Sequence, residues 1–146
     1  MRLNSQTAVV DAENLILGRM ASAVAKWLLQ GQKIAVVNAE KAVISGRKRS
    51  KVKEARTFLE VGYPRKGPYH YRRPDRIVRR VVRGMLPYKQ PKGRQAFGRL
   101  KVFMGVPDEL RGSEMKQVHH AHMRKLSCPY LTVGDLSREI GWNPGG

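Results

Sequence analysis

Residues Ala8–Asn38 read AVVDAENLILGRMASAVAKWLLQGQKIAVVN. The run Ala8-Val9-Val10-Asp11 is short, apolar and closed by a polar turn from Asp11 to Asn14, the signature of a buried strand. Leu17, Met20, Ala21, Val24 and Leu28 then recur at three- and four-residue spacing, and Ala25 and Leu29 widen the stripe. That period predicts an amphipathic helix, with Gly31 as the residue that stops it. Lys33 to Asn38 is a second apolar run with no polar alternation, as expected of a strand covered on both faces. Strand, helix and strand within about thirty residues predict a crossover between parallel strands and an α/β fold.

Outward from this unit the apolar pattern continues. Ala42-Val43-Ile44 is a third short run, ending at Ser45-Gly46. Val52, Ala55 and Leu59 share one face of a helix expected from about Ser50 to Val61. Gly62 to Tyr71 holds two prolines, two glycines and three tyrosines and reads as a loop. Pro74 suits the first turn of the next helix, where its missing N–H costs nothing. Ile77, Val78, Val81, Val82 and Met85 form the expected buried stripe of that helix, which Gly84 and Pro87 end. A second loop is expected from Tyr88 to Gly93, a short helix from Arg94 to Leu100, and a last strand from Lys101 to Val106. Asp108 to His122 is polar and without period. Thr132-Val133-Gly134-Asp135 resembles a capping box opening a helix with Leu136 and Ile140 on one face, closed by Gly141. The chain has no internal repeat, and its 146 residues are expected to form one domain, with residues from about 107 to 146 an extension packed on it.

The charge is concentrated. Gly46 to Lys101 carries 19 of the 29 Lys and Arg residues, opposed only by Glu54, Glu60 and Asp75. Charged residues make up an ordinary 27% of the chain, so it is their sign, a net +18, that is unusual. A field of one sign repels itself until a partner neutralises it, so the segment points to a polyanion. Within it, Arg72, Arg73, Arg76, Arg79, Arg80 and Arg83 surround one helical stripe, with Asp75 the only acid beside them. A solvated helix face would place carboxylates one turn away from some of them. Arginine suits phosphate contact because its planar fork matches two oxygens and can also stack on a base.

Three further groups belong to the same reading. Arg47, Lys48, Arg49 and Lys51 sit at a turn that opens a helix, where backbone N–H groups favour phosphate. Tyr63, Tyr69 and Tyr71 interleave with Arg65, Lys66, His70 and Arg72, a mixture suited to unstacked RNA. Lys89, Lys92, Arg94 and Arg99 follow the arginine helix. The candidate RNA-binding residues are therefore Arg47, Lys48, Arg49, Lys51, Arg65, Lys66, Tyr69, His70, Arg72, Arg73, Arg76, Arg80, Arg83, Lys89, Lys92, Arg94 and Arg99. The basic segment also contains two helical stripes, so deleting it is expected to unfold the domain.

Other chemistries find little support. Cys128 is the only cysteine, so no internal disulfide can form. His119, His120, His122 and Cys128 lack the spacing of a zinc site, and no metal or other cofactor is expected. Neither a Walker loop nor a G-x-G-x-x-G turn occurs. Asp11, Glu13 and Glu40 follow the first two strands and would lie at the sheet edge where active sites occur, but no nucleophile or base accompanies them. They are expected to orient arginines, and no enzyme or small-molecule substrate is expected. Met1 to Ala12 has one base and no apolar block, and Arg19, Ser22 and Lys26 interrupt Leu15–Leu29. The expectation is an intracellular, soluble chain with neither a signal peptide nor a membrane span.

Val37-Asn38-Ala39-Glu40-Lys41, with Gly46 and Lys48 beyond, resembles the N-A-E-K-x-x-x-x-G-x-K segment of the ribosomal protein L-thirteen family. Val10-Asp11-Ala12 with Leu17-Gly18-Arg19-Met20-Ala21-Ser22 is similar to the same family. So are Pro74-x-x-Ile77, Val82-Arg83-Gly84-Met85-Leu86-Pro87, Gly93-Arg94-x-x-Phe97 and Leu100-Lys101-Val102-Phe103-x-Gly105. Leu131 to Trp142 resembles the ending of the archaeal and eukaryotic branch. The resemblance implies a three-layer α/β sandwich, with a four-stranded, mainly parallel, Rossmann-like sheet and helices on both faces. It implies a structural constituent of the large ribosomal subunit in the cytoplasm, with large-subunit rRNA and neighbouring ribosomal proteins as partners and a part in subunit assembly. Two rival readings remain: an RNA-processing enzyme using Asp11, Glu13 or Glu40, and a free-standing regulator that binds an mRNA element.

Overall fold

The computed structural model describes residues 7–60, 72–116 and 118–143. Thr7–Asp11 (β1), Leu17–Leu29 (α1) and Lys33–Val37 (β2) form the strand–helix–strand unit. β1 and β2 pair in parallel, from Thr7 opposite Lys33 to Asp11 opposite Val37. α1 ends as its sequence predicts: Gln30 is the C-cap, and Gly31 takes φ +94°, a conformation in which a side chain would be strained.

Val43–Ser45 (β3), Lys48–Glu60 (α2), Pro74–Gly84 (α3), Pro91–Gly98 (α4) and Leu100–Val102 (β4) follow. The last elements are Met115–Lys116 (β5), Tyr130–Thr132 (β6) and Val133–Glu139 (α5). The main sheet has the order β4-β2-β1-β5, and all its pairings are parallel. β3 and β6 form a separate antiparallel pair that anchors the later part of the chain beside the sheet. The fold is thus an α/β sandwich around a four-stranded parallel sheet.

Alternate strand residues divide between two cores, as the pleat requires. Val10, Ile34, Val36 and Leu100 face Met20, Val24 and Leu28 of α1, Val78 and Val82 of α3 and Ala96 of α4. Val9, Ala35 and Val37 face the other way, onto Leu110, Phe103, Val106 and Met115. Leu110 ends a one-turn 3-10 helix, Asp108–Leu110, that covers this second face. Full burial of one such Leu, Ile or Val side chain contributes about 1.5–3 kcal/mol, so the two layers together hold the sheet. A third cluster joins Val52 of α2 to Leu131, Leu136 and Ile140, with Ile44, Ala55 and Ile77 against it. It fastens α2 and α5 to the rest. No helix among the described residues is long and apolar enough to cross a membrane.

Three local expectations need correction. The strand expected over Lys101–Val106 stops at Val102, because the chain turns at Gly105 with φ +67°. Nor is it the last strand, since β5 arises within the polar stretch and completes the sheet against Val9 and Val10. The loop expected over Tyr88–Gly93 is shorter, because α4 starts at Pro91, with Gly93 buried inside it. Met85 is 42% exposed and Leu86 is buried instead. α3 ends at Gly84, so the chain leaves the helical period there and the next apolar side chain turns inward.

Candidate nucleic-acid interface

The described candidate residues fall into two groups, one at α2 and one along α3 and α4, and α5 packs against both α2 and α3. Arg47, just before α2, is exposed, as are Lys48, Arg49, Lys53 and Arg56 on it; Lys51 is half-buried. The patch is partly compensated. Glu139 of α5 lies 3.4 Å from the Lys48 ammonium and 3.8 Å from the Arg56 guanidinium. Arg56 also donates to the Glu139 carbonyl at 3.1 Å. Lys51 pairs with Glu54 at 3.7 Å. Lys48, Arg56, Glu54 and Glu139 are substantially exposed, so these attractions are weakened by water and salt.

The second patch runs along α3 into α4. Pro74 occupies the first turn of α3, and the stripe Pro74, Val78, Val82 is buried. Burial of that stripe forces Arg76, Arg79 and Arg80 outward, with Arg83 half-covered at the end. Arg73 precedes the helix and pairs with Asp75 at 3.3 Å. Asp75 also accepts the backbone N–H of Arg76. Arg72 is exposed and lies beside Gly141. Among the described residues, no carboxylate pairs with Arg79, Arg80 or Arg83.

Aromatic rings take that place. The guanidinium carbon of Arg83 stands 4.0 Å from the centre of the Tyr88 ring, and that of Arg79 stands 4.4 Å from the centre of Phe97. The two rings meet edge to face, 5.6 Å apart at 88°. Arg79, Tyr88 and Phe97 were absent from the candidate set. The four-residue spacing of Arg79 and Arg83 was visible in the sequence; their meeting with rings five and fourteen residues beyond Arg83 was not.

The remaining candidates differ in placement. Lys89 and Lys92 are exposed. Arg94 is exposed but tied down, its Nε donating to the Tyr88 carbonyl at 3.2 Å. Arg99 is half-buried, and its Nε is buried with no hydrogen-bond partner among the described residues. Arg65, Lys66, Tyr69 and His70, with Tyr63 and Tyr71, lie outside the described residues. The structure therefore brings Arg76, Arg80, Arg83, Lys89 and Arg94 together, with Arg47, Lys48, Arg49 and Lys51 forming a separate group.

Among the described residues, the three acids at the sheet edge do not orient arginines. The Asp11 carboxylate accepts from Glu13 N–H and from Asn38 Nδ2, both at 3.0 Å. This fixes the turns after β1 and β2, where Asn14 and Asn38 have positive φ. Glu40 accepts the Gly105 N–H, and Glu13 lies 4.0 Å from the Lys41 ammonium. No three metal-binding side chains cluster among the described residues. His122 Nδ1 accepts the Arg124 N–H and so caps a short turn.

The sequence pattern of the family described as Ribosomal protein L13 matches residues 5–109. Among similar proteins is large ribosomal subunit protein uL13 of Methanococcoides burtonii, 51% identical over 134 residues, which are 91% of this chain and 96% of that protein. The protein of the same name from Methanopyrus kandleri is 49% identical over 94% of this chain and 89% of its own. That from Archaeoglobus fulgidus is 46% identical over 96% of this chain and 91% of its own.

Proposed function

The chain belongs to the ribosomal protein L13 family, and from that premise we propose that it is a structural constituent of the large ribosomal subunit that binds large-subunit rRNA. The relatives carry the name of a large-subunit protein, and the family is one of ribosomal proteins rather than enzymes. Its working place is accordingly the cytoplasmic ribosome, with neighbouring large-subunit proteins as further partners. The observation that supports RNA binding is the α3 arginines Arg79, Arg80 and Arg83, turned away from the buried stripe and paired with no carboxylate among the described residues.

The mechanism is electrostatic and geometric. The parallel sheet and its cores make a rigid base. α3 and α4 present Arg76, Arg80, Arg83, Lys89, Lys92 and Arg94, and α2 presents Arg47, Lys48, Arg49 and Lys51. Arg72, Arg73 and Arg99 flank the arginine helix, while Arg65, Lys66, Tyr69 and His70 extend the basic segment. Contacts to phosphate position a protein on RNA without reading its sequence, which suits holding folded rRNA helices together during assembly.

The test is binding of the purified protein to large-subunit rRNA across salt, combined with mapping of protected nucleotides. A defined protected region is expected, with log affinity falling against log salt by about 0.7–0.9 per phosphate contact. A flat salt response, or protection scattered over the whole rRNA, would overturn the proposal. Release from large subunits at modest salt would favour the free-standing regulator instead.

A further inference from the structure

Two guanidiniums stacked on two rings need not belong to an ordinary phosphate surface. Phosphate contact asks for a cation that reaches into solvent, whereas packing α3 against α4 asks only for apolar volume at positions 79 and 83. The structure supplies planar cations laid on aromatic faces, at the rim of a cavity of about 150 Å³ lined by Arg76, Arg79, Arg80, Arg83, Tyr88 and Phe97. A shallower groove of about 470 Å³ adjoins it, between Arg80, Arg83 and the turn Leu86–Gln90, with Lys89 on its rim.

The turn that carries Tyr88 is held from several sides. Its N–H donates to the Leu86 carbonyl at 2.8 Å, and its carbonyl accepts Arg94 Nε. Gly93 sits so close to Pro87 that an added Cβ would overlap the Pro87 carbonyl. Leu86 is buried. The ring is therefore positioned in the free protein, and ordering it on binding costs little.

We propose that the Arg83–Tyr88 and Arg79–Phe97 stacks form a site for one unpaired RNA nucleotide. Its base stacks on the Arg83–Tyr88 pair, with the Phe97 ring of the second pair at 88° to Tyr88 as a side wall, while Arg80 and Lys89 hold the adjoining phosphates. A base fully paired within a duplex keeps its faces stacked on its neighbours and cannot use this layer; a looped-out base can. The inference rests on the reading of the chain as an rRNA-binding protein and deepens it: the arginine patch selects a bulge or loop, not merely duplex charge.

The experiment uses the full-length protein and two short RNAs, one a perfect duplex and the other the same duplex with a single 2-aminopurine bulge. The intact protein is expected to bind the bulged RNA about tenfold more tightly and to quench 2-aminopurine fluorescence as the base stacks. Tyr88→Leu keeps apolar volume and removes the ring; Arg83→Lys keeps charge and removes the plane. Each is expected to bring the ratio between the two RNAs close to one and to abolish quenching. Lys89→Gln is expected to weaken binding of both RNAs together. Should Tyr88→Leu fail to fold, Arg83→Lys and the quenching signal of the intact protein still decide. Equal affinity for the two RNAs, or no quenching, overturns the nucleotide site while leaving rRNA binding intact if both RNAs bind with steep salt dependence. Absence of binding to either RNA and to large-subunit rRNA would overturn both.

Discussion

Both carboxylate oxygens of Glu40 accept the backbone N–H of Gly105, at 3.1 and 3.3 Å. Glu40 lies in the turn after β2 and Gly105 in the turn after β4. Two backbone bonds run alongside: Asn38 N–H donates to the Gly105 carbonyl at 2.9 Å, and Ala39 N–H to the Phe103 carbonyl at 3.1 Å. The carboxyl edge of the sheet, where α/β enzymes place their chemistry, is here occupied by a brace.

Glu40→Gln keeps an acceptor and removes the charge. A hydrogen bond to a charged group contributes about 1.5–3 kcal/mol, so the loss in stability is expected to be about 1 kcal/mol. Urea denaturation measures it. RNA affinity measured well below the unfolding midpoint should not change. A tenfold loss of affinity in a fully folded variant would contradict the bracing role.

Gly93→Ala should destabilise strongly. The new Cβ would meet Pro87 and Tyr88 backbone atoms, which cannot move aside as a flexible side chain could. A cost of about 3 kcal/mol is expected, at the upper end for overpacking. Gly18→Ala is the matched control, since nothing lies within 4 Å of its Cβ position in the first turn of α1. It should stabilise by about 0.5–1 kcal/mol through lower flexibility of the unfolded chain. Thermal melting of the pair tests the contrast. Equal and small effects would mean that the α3–α4 turn is looser than described.

Glu139→Gln separates charge from stability. The carboxylate lies near both Lys48 and Arg56, but all three side chains are well exposed, so folding should change little. RNA binding should strengthen a few-fold at low salt, because one negative charge leaves the basic α2 patch, and the gain should shrink as salt rises. Titration of the variant at two ionic strengths is the measurement. An unchanged affinity at low salt would remove the α2 patch from the interface.

Thr132→Ala tests the cap of α5. Its hydroxyl oxygen accepts the Asp135 N–H at 3.1 Å. Loss of such a cap costs about 1 kcal/mol. Because α5 and its C-cap bring Leu136 and Ile140 into the cluster with Val52, hydrogen exchange should quicken in α2 as well as α5. Faster exchange in α5 alone would show that the two helices are not one cooperative unit.

Much of this was legible in the residues. The stripe of α1, the apolar runs of β1 and β2, Gly31 as a stop and Thr132 as a cap each follow from a period or a local backbone need that a few neighbouring residues express. The outward direction of the α3 arginines follows from its inward valines. What was not legible depends on partners far along the chain. Met115 and Lys116 carry no strand pattern; they form β5 because Val9 and Val10 offer a free edge. Gly93 looked like a loop glycine until the Pro87 carbonyl was placed against it.

The sequence by itself determined the α/β class, the chain segment that carries the positive charge and the family to which its motifs belong, because apolar period, composition and residue order are properties of the chain alone. Only the tertiary structure decided that Glu40 braces Gly105, that Glu139 shields part of the α2 patch, and that Arg79 and Arg83 lie on Phe97 and Tyr88. Those are contacts between side chains and backbone groups brought together by the packing of separate elements, and residue spacing alone does not determine such distances.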